Sequence, residues 1–295
     1  MKDREMKLTG MALQGTRQPD PIVTSGPTPS PAYAAYLADL EKRRTIVRIG
    51  QASLLLLFLF FWEAGPRLGW INPMLTSYPS AVAQTLAGMI ADGSLALHSM
   101  STFGATIIGF SGGMVIGLGV AVALWLSPML YRVLDPFIVV LNALPKIALV
   151  PIFYIWLGAD ASIYAMAIAI SVFITIIMLY TGFKGVDPEK QKLVRTFGGT
   201  RLQVLTKVIL PGAVPSMIAA LKVNIGLALV GVVVGEFQAA SSGLGYLIVY
   251  GSQIFQMNLV MASIVALAVI SVVLFVAVQI LEKFVTRRRG LSNSA

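Results

Sequence analysis

The sequence predicts an all-α polytopic membrane protein with six transmembrane helices, and three observations carry that prediction. Charged residues make up 12% of the chain, about half of the roughly 25% usual in soluble domains. Hydrophobic residues make up 57%, and several apolar runs approach or exceed the roughly 20 residues that cross a bilayer as a helix. Lysine and arginine are clustered: of 22, eight fall in residues 1–48, six in 184–207 and four in 283–289. Basic residues mark the cytoplasmic side of a membrane protein. The three clusters fall on one side if six spans run 46–66, 97–126, 137–157, 162–182, 213–237 and 258–283. Both termini and the loop 183–212 are then cytoplasmic, and the segments 67–96 and 238–257 lie outside. The formal charge of +9 is thus a topology signal, and no nucleic-acid partner is expected.

The elements follow in order. Residues 1–45 read as a cytoplasmic tail, disordered over 17–31, where proline and small polar residues dominate. Residues 32–45 read as a helix leading into the first span. The first apolar run begins too late for a signal sequence. A short amphipathic helix is expected over 80–91, started by Pro79-Ser80 and ended by Asp92-Gly93. In the second span Gly109, Gly113 and Gly117 recur every four residues, a small-residue stripe that lets helices approach closely, within the chain or across a dimer seam. The third span contains Pro145 and Pro151, each expected to kink it. Lys146 falls near its middle. An intramembrane lysine must face protein or water, so it either lines a pathway or binds a carbonyl or carboxylate and fixes the kink. Glu236, at the outer end of the fifth span, lines an outer gate or sits at the interface. Gly243 and Gly245 permit a tight turn beyond it. Residues 46–285 form one membrane domain, and 286–295 a second cytoplasmic tail.

The loop 183–212 is not a plain connector. Asp187 can cap a helix begun by Pro188, with Leu193, Val194 and Phe197 on one face and Lys190, Lys192 and Arg195 elsewhere. Gly198 and Gly199 end that helix. Thr200 and Gln203 form a capping box for a second helix, Arg201 to Leu210, stopped by Pro211. A two-turn helix is unstable alone; it lies on the membrane surface or is held by a partner.

Several chemistries are excluded. There is no cysteine and one histidine, His98, so no metal cluster or catalytic constellation is expected. No phosphate-binding G-x-x-x-x-G-K-[ST] loop is present. An ion-coupled secondary transporter would need buried carboxylates and repeated halves, and the sequence offers few acids and no clear repeat.

The segment "GGTRLQVLTKVILP" resembles the cytoplasmic EAA loop of ABC importer permeases: Glu-Ala-Ala, three residues, Gly, nine residues, then Ile-x-Leu-Pro. Gly198 takes the glycine, Val208 the isoleucine, and Leu210-Pro211 the Leu-Pro, without a gap. Lys192-Leu193-Val194 stand where the family has Glu-Ala-Ala. "ALPKIALVPIFYIWLG" and "GEFQAASSGLGYLI", with "YPSAVAQTL", "DGSLALHSMSTF", "LDPFIVVLNALP" and "GVDPE" in the same order, resemble the nitrate, sulfonate and taurine branch over roughly 50–285.

The resemblance implies a type I importer permease (MetI-like) fold in a bacterial inner membrane. It implies a homodimer served by two ATPase subunits, which bind ATP and Mg, and by an extracytoplasmic solute-binding protein. The chain itself would be no enzyme and bind no cofactor. Lys192, Leu193, Val194, Phe197, Gly198, Gly199 and Arg201 would meet the ATPase through a coupling helix, within the loop 187–211. Asn142, Pro145, Lys146 and Glu236 are candidates for the path. The substrate class implied is a sulfonate, taurine or nitrate, with vitamin precursors such as a pyrimidine or riboflavin as the alternative.

Overall fold

A computed structural model describes residues 31–288. The expected disorder over 17–31 falls almost wholly outside that range, as does most of the expected tail 286–295. Among the described residues every regular element is helical. Residues 1–58 and 59–295 form two units. The described part of the first is helical and belongs to α1 (Pro31–Arg67), so the expected helix over 32–45 and the first span are one continuous element. Its run Leu54–Phe61 is apolar on every side and exposed, the pattern of a lipid-facing helix.

In the second unit two short helices, α2 (Pro73–Thr76) and α3 (Pro79–Ala91), lead to α4 (Ser94–Leu126). The end of α1 is tied to α3 by Glu63, which accepts from the Ser80 backbone N–H at 3.0 Å and pairs with Arg67 at 2.7 Å. Then come α5 (Pro128–Ala143), a 3₁₀ turn (Lys146–Leu149), α6 (Val150–Leu157) and α7 (Ala159–Lys184). The loop helices are α8 (Pro188–Thr196), α9 (Arg201–Val204) and α10 (Leu210–Gly212). The chain closes with α11 (Val214–Ala239), α12 (Leu244–Gln253) and α13 (Met257–Arg288). Five described helices are long and apolar enough to cross a membrane, and six when the bent pair of α5 with the 146–157 segment counts as one.

The third span departs from expectation. It begins at Pro128 rather than near 137 and is broken by a 90° bend between Ala143 and Lys146. Leu144 is extended (φ −62°, ψ 139°), because a residue before proline is driven out of the helical region. Pro151 breaks nothing: it sits in the first turn of α6, where its missing N–H is an orphan anyway.

The centre of the unit is the packing of α4, α7 and α11. The glycine stripe of α4 is an intramolecular seam. A Cβ on Gly109 would collide with Ala167, one on Gly113 with Ser171, and one on Gly117 with Thr175. The step of four on α4 meets a step of four on α7, as parallel helices in register require. On the other side of α7, Gly231 of α11 stands against Ala167 and Gly235 against Ile163. Helices α12 and α13 pack on α11, and α3 on α13 through Val82 and Met89. Lys222 of α11 pairs with Glu282 of α13 at 2.7 Å.

Candidate functional site

The loop between α7 and α11 assembles from local rules. Asp187 caps α8 by accepting from the Glu189 N–H at 2.8 Å. The helix ends in a Schellman motif: Gly198 is left-handed (φ +78°), its N–H reaches the Arg195 carbonyl, and the Gly199 N–H reaches Val194, both at 2.9 Å. The capping box forms in both directions, Gln203 N–H to Thr200 Oγ1 at 3.3 Å and Thr200 N–H to Gln203 Oε1 at 2.7 Å.

Beyond the elbow the sequence reading needs a correction. The helix does not stop at Pro211. Residues 205–209 form a π turn in which the Leu210 N–H reaches the Leu205 carbonyl, and helix continues to Gly212. A proline inside a regular helix clashes with the carbonyl four residues back. The wider turn interrupts the regular ladder just before Pro211, which lies in the helical turn that follows.

The two halves of the loop differ in burial. Val204, Leu205 and Ile209 are buried against Ala121, Leu179 and Phe183 of α4 and α7. By contrast α8 buries no residue. Leu193 is 58% exposed and Phe197 83%, so two large apolar side chains project from a helix clamped at both ends. At its start Gln191 Nε2 donates to the Val186 carbonyl at 3.0 Å. Lys192 is exposed and pairs with Glu189 on the same helix, at 2.8 Å, a pair worth little.

Two residues expected at the docking face of the loop also contact the rest of the protein. Val194 is partly buried against the cluster that contains Val204, Leu205 and Ile209, and Gly199 needs to be glycine because a Cβ there would strike the Val194 side chain. Arg201 Nη1 donates to the Leu126 carbonyl, the last of α4, at 3.0 Å. Val208 and Leu210 are partly buried and Pro211 is exposed.

The path candidates separate into two places. Lys146 Nζ donates to the Asn142 carbonyl at 2.7 Å and lies 5.7 Å from the Phe173 ring centre. The lysine therefore caps the end of α5 at the Pro145 break, the pairing weighed against a pathway role. Glu236 is elsewhere and is buried within the protein, 1% exposed. Its carboxylate accepts from Thr102 Oγ1 at 2.8 Å and from the Gly245 N–H at 2.7 Å. Thr102 Oγ1 in turn accepts from the Leu244 N–H at 2.8 Å, and His98 Nδ1 accepts from the Gly243 N–H at 3.0 Å. Three side chains thus take the three leading N–H groups of α12, which have no partner inside the helix. Gly243 (φ +112°) and Gly245 leave room for the carboxylate, which a Cβ on either would meet. Sequence reasoning missed His98 and Thr102. Their signal was a polar i, i+4 pair on one face of an apolar span.

A groove of about 460 Å³ opens between α7 and α11 beside the loop, lined by Ile177, Met178, Thr181, Gly182, Ser216 and Ala219 among others. A Cβ on Gly182 would collide with Ser216.

Residues 113–290 match the family described as "Binding-protein-dependent transport system inner membrane component". The chain is 29% identical over 230 residues to the putative aliphatic sulfonates transport permease protein SsuC of Bacillus subtilis, covering 78% of this chain and 83% of the relative. It is 27% identical over 254 residues to the taurine transport system permease protein TauC of Escherichia coli, covering 84% and 91%. Among solved structures, an inward-facing conformation of the MetNI methionine ABC transporter superposes with a TM-score of 0.56 at 19% identity, covering 64% of this chain and 94% of that one.

Proposed function

The chain belongs to the family of binding-protein-dependent transport system inner membrane components and is an ABC importer permease, and from that premise we propose that α8 docks into a separate ATPase subunit. The observation that carries this is the pairing of rigidity with exposure. A nine-residue helix is clamped by the Asp187 cap, Gln191 and the Gly198-Gly199 elbow, yet presents Leu193 and Phe197 to the outside. A fixed helix with an exposed aromatic anchor has the form of an interface hot spot.

In this reading two copies form the path, two ATPase subunits bind ATP and Mg, and an extracytoplasmic binding protein delivers the substrate. The chain holds no cofactor and performs no catalysis. Its termini and α8 lie on the cytoplasmic side of the inner membrane, as the three basic clusters require. ATP binding closes the ATPase pair, hydrolysis reopens it, and α8 follows as a lever that biases a two-state path. The groove between α7 and α11 is the inner part of that path. The substrate is a small organic sulfonate, supported by the sulfonate and taurine relatives.

Co-purification with the cognate ATPase tests the docking. Phe197→Asp and Gly198→Trp insert in the membrane but lose the ATPase, by about tenfold or more in affinity for the former, since burying one phenylalanine contributes about 2 kcal/mol. Normal assembly in both variants overturns the reading. Uptake of labelled taurine or an alkanesulfonate tests the substrate; transport of riboflavin or a pyrimidine precursor in its place refutes it.

A further inference from the structure

The contact between Arg201 and Leu126 lies outside α8, and it joins two places that movement must connect. Helix α4 ends at Leu126 and α5 begins at Pro128, leaving Ser127 as the one residue between them, in an extended conformation (φ −126°, ψ 97°). The N–H of Leu130 would ordinarily take the Leu126 carbonyl, but it goes to Ser127 Oγ at 3.2 Å. That carbonyl is one of the orphan acceptors at a helix end. It carries the negative end of the α4 dipole, and Arg201 supplies a charged donor at 3.0 Å.

At its far end α5 meets the 90° break before Lys146. It is therefore a 16-residue rod with a joint at each end. Arg201 grips the first joint from α9, the helix that follows the α8 elbow. The grip is reinforced by packing: Trp125 and Leu126 lie against the cluster that contains Val204 and Leu205.

We infer that Arg201 is a positioning residue that transmits movement of α8 to the α4–α5 joint, so that α5 swings when the loop is displaced. The inference rests on the reading of α8 as the ATPase-docking helix. It is a link between a bistable partner and a jointed element, and residues on such links shift coupling without touching either ligand.

The test uses the complete importer, with its ATPase, in proteoliposomes. The chain has no cysteine, so single cysteines at Lys190 on α8 and Val133 on α5 can carry an environment-sensitive fluorophore. In the wild type both labels respond to ATP. In Arg201→Met the Lys190 label keeps its response, the Val133 label loses it, ATP hydrolysis persists and uptake falls about tenfold. A merely structural role would not separate the two labels. If Arg201→Met does not assemble, Arg201→Gln, shorter and uncharged, is read in the same way. Retention of the Val133 response and of uptake in an assembled variant overturns the inference. A Lys190 label silent in the wild type overturns the docking reading instead, and this inference with it.

Discussion

Glu236 and Gly245 face each other across the start of α12, with the glycine N–H donating to the buried carboxylate at 2.7 Å. The same carboxylate holds Thr102 of α4, so one side chain joins α4, α11 and α12. Removing it strands two buried donors. Each unpaired buried polar group costs about 1–3 kcal/mol, so Glu236→Ala should lose about 3 kcal/mol and melt well below the wild type in detergent. Glu236→Gln keeps an acceptor for one donor and should fall between them. Equal melting of Glu236→Ala and wild type would show that the network contributes nothing.

At the α8 elbow the two glycines should not be equivalent. Gly198 is left-handed but an added Cβ would meet open space, whereas a Cβ on Gly199 strikes Val194. Gly198→Ala therefore costs about 1 kcal/mol of backbone strain and leaves α8 in place. Gly199→Ala displaces Val194 and the helix with it. Uptake assays should show the larger loss for Gly199→Ala, and the reverse order would contradict the packing of the elbow.

Ala167 lies between Gly109 of α4 and Gly231 of α11, and it is fully buried. Overpacking typically costs about 1–3 kcal/mol, and here neither side can yield. Ala167→Leu should separate the three central helices, seen as lost monodispersity in size-exclusion chromatography. A variant that elutes and melts as the wild type does would rule out so tight a seam.

Asn224 is the counter-example within the same core. It is 1% exposed, it lies beside Gly113, and neither of its amide atoms has a hydrogen-bond partner within the described chain. Replacing it with an apolar residue of similar volume removes that cost, so Asn224→Leu should raise the melting temperature. A drop would mean that the amide is satisfied in the folded protein.

Lys146 already spends its ammonium on the Asn142 carbonyl. Lys146→Met should lower stability by about 1–3 kcal/mol, the cost of an acceptor left without its partner, with the KM for uptake unchanged. A raised KM for an anionic substrate, with stability intact, would instead place Lys146 in the path.

The sequence by itself determined what depends on composition and on neighbours within about one turn. Apolar runs marked the membrane helices because a helix in lipid must satisfy its backbone internally. The loop was legible in detail, from the Asp187 cap to the Gly198 stop and the Thr200–Gln203 box, since each interaction spans two to five residues. Tertiary structure decided everything that joins distant segments. The burial of Glu236 was not foreseen because its partner Thr102 lies 134 residues away. Arg201 and Val194 were read only as parts of a docking face, yet one also binds a carbonyl 75 residues distant and the other packs against the cluster around Leu205 and Ile209. Helical spacing reports which residues share a face, and it is silent on which neighbour that face will meet. The π turn before Pro211 belongs to the same class. Proline forbids the regular helix, and only the burial of Leu205 and Ile209 against α4 and α7 selects the widened turn over a break.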